Sequence, residues 1–179
     1  MTWDAYNRRK EALREVLAIA DRRREDVTAT ELLAIVEGAN SAFADEAELL
    51  LDTQMNWYQA LSGQMDRSFT TGDFTVGDFT VDTFDLETKA IMAWQDVAAA
   101  MPGTRALLDA NVEMGELQRA FEKEHELLAR AAGILANHPD FIGQGERVKE
   151  NARKSTVYAP YVEPAREGNF FTRIRDLVA

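Results

Sequence analysis

Apolar residues recur along residues 41–69 with the rhythm of one helix face. Phe43, Ala47, Leu50, Gln54, Trp57, Leu61 and Met65 are separated by four, three, four, three, four and four positions. Spacings of three and four stack side chains on one stripe of an α-helix, here with Gln54 as the polar member at its centre. A helix of about 27 residues is roughly 40 Å long, the height of a whole helical bundle. The stretch is therefore expected to be the central helix on which the remaining segments pack.

Those segments carry matching stripes. Trp3, Tyr6, Leu13, Val16, Leu17 and Ala20 predict a first helix over 2–25, with Arg22, Arg23 and Arg24 in its last turn, where cations suit the negative end of the helix dipole. Thr28 followed by Glu31 is a capping-box pattern, opening a short helix that carries Leu32, Leu33, Ile35 and Val36. Gly38, Asn40 and Ser41 break or bend the chain before the central helix, with Ser41 a candidate cap. Leu86, Ala90, Ala93 and Val97 predict a helix from Asp85, stopped by Pro102 and Gly103, and Thr104 is expected to cap a brief helix through Leu108. Leu117, Ala120, Phe121, Leu128, Ala132 and Leu135 predict a long helix over 112–137, ended by Pro139 and followed by a short basic helix to about Ser155.

Two stretches break the helical rhythm. Residues 72–84 place Phe74, Phe79 and Phe84 five positions apart, which resembles the pentapeptide-repeat pattern. Fewer than three units are present, too few to stack into a solenoid, so the resemblance implies no function. Residues 157–167 contain Pro160 and Pro164 and are expected to run extended; Phe170, Phe171, Ile174, Leu177 and Val178 then form a last amphipathic turn or two. With Tyr158 and Tyr161, these residues make an interaction tail that straps its own bundle or docks on a partner.

The expected architecture is thus all-α: one antiparallel bundle of five to seven helices over residues 1–155, with an extended arm over 156–179 ending in a short amphipathic helix. The chain of 179 residues is long enough to bury a full core. No apolar run approaches the ~20 residues of a membrane-spanning helix, and the opening Met1-Thr2-Trp3-Asp4 lacks a signal-peptide pattern, so a cytoplasmic protein is expected. Zero cysteines excludes disulfides, thiolate nucleophiles, zinc–thiolate sites and iron–sulfur clusters.

Net charge is −11 and unevenly distributed. Residues 1–26 carry seven basic against six acidic groups, residues 27–140 six against twenty, and residues 141–179 seven against five. A duplex-binding groove needs a basic stripe, so nucleic acid is not expected as a direct partner. An acidic protein can instead imitate nucleic acid, although a negative surface ordinarily serves solubility.

Chemistry-bearing residues are few. Glu122 and His125 share the Glu-x-x-His spacing of di-iron bundles, but no second such pair occurs, and Glu122 falls outside the apolar stripe. They are weak metal candidates, and no metal or cofactor is expected. His138 precedes Pro139 at a helix end, where a loop role suffices. Gln54, Tyr58, Glu124 and His125 are expected to share a hydrogen-bonded polar cluster inside the bundle, because an unpaired buried polar group costs ~1–3 kcal/mol. No serine sits in a nucleophile-elbow setting and no phosphate-cradling glycine loop is present, so no catalytic residue is assigned and an enzymatic role is not expected.

Thr2-Trp3-Asp4 through Ala20-Asp21-Arg22-Arg23, Met55-Asn56-Trp57-Tyr58, Met101-Pro102-Gly103-Thr104-Arg105 and Lys123-Glu124-His125-Glu126-Leu127-Leu128-Ala129 resemble a group of small helical actinobacterial proteins without an assigned function. The resemblance spans most of residues 1–135 and implies a cytoplasmic bacterial helical protein. The function expected from the sequence is a non-enzymatic acidic adaptor that binds another protein or a second copy of itself. The alternatives are a ferritin-like metal or small-ligand binder and a nucleic-acid mimic.

Overall fold

The computed structural model describes residues 2–24, 27–70 and 83–155. The elements of the described residues are all helical, with no strand: α1 (Trp3–Arg23), α2 (Ala29–Ile35), α3 (Ala39–Ala42), α4 (Glu46–Thr70), α5 (Thr83–Ala100), α6 (Pro102–Asp109), α7 (Gln118–Ala131) and α8 (Phe141–Ser155), with a 3-10 turn over Gly115–Leu117. The repeat residues Phe74 and Phe79 and the tail residues Tyr158, Tyr161, Phe170, Phe171, Ile174 and Leu177 lie outside the described residues.

The central stripe is the core. Phe43, Leu50, Gln54, Trp57, Leu61 and Met65 are all buried, and α4 packs against α1, α2, α5, α6 and α7. At 25 residues α4 spans about 38 Å. It begins later than Ser41, because Gly38, in the left-handed region at φ +80°, starts the separate short helix α3, and Phe43 is extended. Asp45 caps α4 instead: its Oδ1 accepts the Glu48 N–H at 2.8 Å, while Glu48 Oε2 accepts the Ala44 N–H at 2.6 Å.

Three further helix ends depart from the sequence expectation, each for a backbone reason. Pro102 does not merely stop α5; it occupies the first turn of α6, where a missing N–H costs nothing. Thr104 does not cap α6. Its N–H and Oγ1 donate to Asp21 Oδ1 at 2.9 and 3.2 Å, so a carboxylate from α1 receives the open end of α6. The predicted helix over 112–137 is shorter, starting at Gln118 and finishing at Ala131. Gly133 at φ +78° ends it, with Gly133 N–H donating to Arg130 O and Ile134 N–H to Ala129 O, the Schellman pattern. Pro139 comes after the stop is already made.

Two glycines set the closest helix contacts. Gly103 lies against the Ala20 carbonyl, seating α6 on α1, and Gly145 lies against the His125 carbonyl, seating α8 on α7. Because Gly145 faces His125 while Lys149 faces Phe121, α7 and α8 run antiparallel.

Candidate functional site

Two features stand apart from ordinary packing: an ion cluster centred in the core, and a groove between α1 and α4.

The cluster is centred on Glu124, whose side chain is fully buried. Its position follows from the α7 stripe, since Leu117, Phe121, Glu124 and Leu128 are the buried members of one face. Glu124 Oε2 accepts from Gln54 Nε2 at 3.0 Å, and Oε1 accepts from Trp94 Nε1 at 3.1 Å and from Arg105 Nη1 at 3.2 Å. Arg105 is 1% exposed and its guanidinium sits over the Trp57 ring, 4.8 Å from the centroid. Trp57 in turn meets Trp94 edge-on at 5.7 Å. Arg105 Nη2 lies 2.8 Å from Asp109 Oδ1, close enough for ion pairing but outside the alignment of a hydrogen bond. Asp109 Oδ2 accepts from Arg153 at 3.0 Å. Lys149, 4% exposed, rests its ammonium on the Phe121 ring at 5.2 Å.

The electrostatics follow from this arrangement. Burial alone would raise the Glu124 carboxyl, but Arg105 and Lys149, aided by hydrogen bonds from Gln54 and Trp94, take it from 4.5 down to about 2. Burial lowers Lys149, opposed by the charge of Glu124. Burial and the nearby Lys149 lower His125, which keeps that imidazole neutral at pH 7. Three donors fill most of the carboxylate's roughly four acceptor positions, and its burial keeps it from water. The geometry suits Glu124 to fixing helix register, tying α4, α5, α6 and α7 to one point.

Of the residues expected to form a polar cluster, the structure joins Gln54 and Glu124 directly. His125 lies next to them, half-buried, with Nε2 buried and without a hydrogen-bond partner. Tyr58 is half-buried and makes no hydrogen bond to the other three. Glu122 is exposed on the far side of α7, away from the buried face. Among the described residues no group of three or more acidic or histidine side chains is placed to hold a metal ion. No described helix is long and apolar enough to cross a membrane.

Arg105, Lys149 and Trp94 are cluster members that the sequence reading did not name. Lys149 was legible: Gly145, Val148, Lys149 and Ala152 are buried at i, i+3, i+4 and i+7 of α8. Arg105 had a weaker signal, a lone cation beside Leu107 and Leu108 on a helix too short to display a period.

The second feature is the groove. Tyr6, Arg9, Lys10, Leu13, Met55 and Asn56 are among the residues lining a concavity of about 380 Å³, and Lys10, Leu13 and Asn56 also line its neighbour of about 650 Å³. Large apolar side chains gather at its edge. Trp3 is 74% exposed and stacks on Tyr6, itself 47% exposed, with centroids 5.8 Å apart, and Met55 is 57% exposed. Arg9 pins the two helices together beneath, donating to Asp52 Oδ2 at 2.6 Å and to Glu48, with its guanidinium over the Phe43 ring.

No family model, no curated protein and no solved structure matches this chain. The functional reading therefore rests on the geometry of the molecule itself.

Proposed function

We propose that this chain is a non-enzymatic acidic helical interaction protein of the cytoplasm, and that its binding face is the α1–α4 groove. The observation that carries this reading is the exposed stack of Trp3 on Tyr6 at the edge of a groove that also presents Met55. A tryptophan left three-quarters in water on an exposed tyrosine contributes little to the packing of the described residues. Aromatic and methionine side chains are enriched at protein interfaces, where tryptophan and tyrosine supply much of the binding energy. The buried Glu124–Arg105 cluster supports the reading from the other side: it holds α4 in register, so the groove is presented on a rigid element.

A photo-crosslinking residue in place of Met55, expressed in the native host, tests the proposal. A discrete crosslinked partner is expected from position 55, absent from a control at exposed Glu122 and lost when Trp3→Ala is added. Equal labelling from both positions, or none from either, rejects the reading.

A further inference from the structure

The arginines along the α1–α4 groove are paired with carboxylates, and Lys10 is the cation of its lining that is not. Arg9 is held by Asp52 and Glu48, Arg14 lies 3.2 Å from Glu11, and Asp21 accepts hydrogen bonds from Thr104. Lys10 has no ion-pair partner among the described residues, is exposed, and lines both concavities together with Leu13 and Asn56. The groove thus presents apolar contacts at Tyr6, Leu13 and Met55 around one uncompensated cation.

We propose that the groove takes an amphipathic helix from a partner protein, seated by apolar side chains on Tyr6, Leu13 and Met55 and set in register by a single carboxylate opposite Lys10. This rests on the interaction reading above and adds the chemistry of the partner. The shape argues for a helix. The α1 side of the two concavities runs from Tyr6 to Asp21, which at 1.5 Å per residue is about 22 Å, or roughly four helical turns. A channel between two packed helices accepts the ridge of a third, with contacts spaced at i, i+3, i+4 and i+7. The charge argues for the carboxylate. Lys10 held against a partner's apolar surface without a counter-ion would be desolvated unpaired, whereas one acidic residue matches it and selects against basic competitors. A second copy of this chain is disfavoured as the occupant, because each carries a net charge of −11.

A displayed library of 16-residue amphipathic helices, with the apolar positions fixed and the intervening positions randomised, tests the inference against the full chain. Enriched sequences are expected to share Asp or Glu at one position, to bind wild type at least tenfold more tightly than Lys10→Glu, and to retain intermediate affinity for Lys10→Met. Circular dichroism of both variants establishes that they fold. Binders without acidic preference, indifferent to Lys10→Glu but lost on Trp3→Ala, overturn the carboxylate match and leave the interaction face standing. No enrichment overturns both. Concentration-dependent dimerisation in sedimentation, lost on Met55→Gln, replaces the partner helix by a second copy.

Discussion

Arg105 Nη1 stands 3.2 Å from Glu124 Oε1, and neither side chain is more than 1% exposed. An ion pair this deep is stabilising only relative to its own broken halves. Removing one partner strands the other charge in the core, which costs about 3–5 kcal/mol, whereas replacing both with apolar residues of similar size is often neutral or favourable. Arg105→Met and Glu124→Leu are each expected to lower stability by about 3–5 kcal/mol. The double substitution is expected to cost less than the two single losses added together, while staying below wild type because Gln54, Trp94 and Lys149 still lose their carboxylate. Urea denaturation of all four proteins forms a double-mutant cycle, and additive losses would show that the two residues do not act as a pair.

The same carboxylate makes stability fall in acid. Glu124 is held at about 2 when folded, against an ordinary 4.5. A depressed carboxyl contributes stability that is complete above its unfolded value and is lost as pH falls toward the folded value, so the window runs from pH 4.5 down to about 2. The displacement corresponds to about 3 kcal/mol, as an order of magnitude. Wild type is expected to lose about that much more than Glu124→Gln between pH 5 and pH 2, a comparison in which the other carboxylates cancel. Parallel pH profiles for the two proteins would refute it.

How far the sequence reveals this structure depends on period length. The stripe from Leu50 to Met65 fixes a helix, its buried face and the central place of Gln54, all of which appear in the fold, whereas Phe43 lies before α4 and Ala47 is only half-buried. Helix ends are read from single residues, and there the reading fails wherever the decisive partner is distant. Nothing near Thr104 reveals that its N–H is received by Asp21, 83 positions earlier. Pro139 reads as the stop of α7 in the sequence, but Gly133, six residues before it in the left-handed region, makes the stop. In the buried cluster, Gln54 and Glu124 are legible because each lies on a long stripe. Arg105 is not, because eight residues of α6 contain barely two turns. Tyr58 lies one turn after Gln54 on the same face, yet it is only half-buried and makes no bond with the cluster.

Gly103 and Gly145 are where backbones meet. A β-carbon at Gly103 would run into the Ala20 carbonyl, and one at Gly145 into the His125 carbonyl. Backbone cannot step aside as a flexible side chain does, so α6 would lift from α1, or α8 from α7. Each Gly→Ala change is expected to cost about 1–3 kcal/mol or more, lowering Tm by roughly 2–4 °C per kcal/mol in a chain of this size. Gly115 is the control: nothing lies within 4 Å of its β-carbon position, and alanine there is expected to be harmless. Equal Tm values for Gly103→Ala and Gly115→Ala would show that α6 does not sit this close to α1.

Trp3 and Met55 allow a binding face to be distinguished from loose core. Residues that serve the fold are costly to replace, whereas exposed ones shift stability by no more than about 0.5 kcal/mol. Trp3→Ala and Met55→Gln are therefore expected to leave the urea midpoint nearly unchanged; glutamine is chosen at 55 because a carboxylate there would stand beside Asp52, which also lines the groove. Trp57 and Trp94 are fully buried and Trp3 is the remaining tryptophan, so iodide quenching of the wild-type fluorescence should report Trp3 alone and vanish in Trp3→Ala. A loss of more than about 1 kcal/mol in either variant, above the ordinary range for a surface change, would mean that these side chains hold the bundle together. The argument for a partner at the α1–α4 groove would then lose the exposed residues on which it stands.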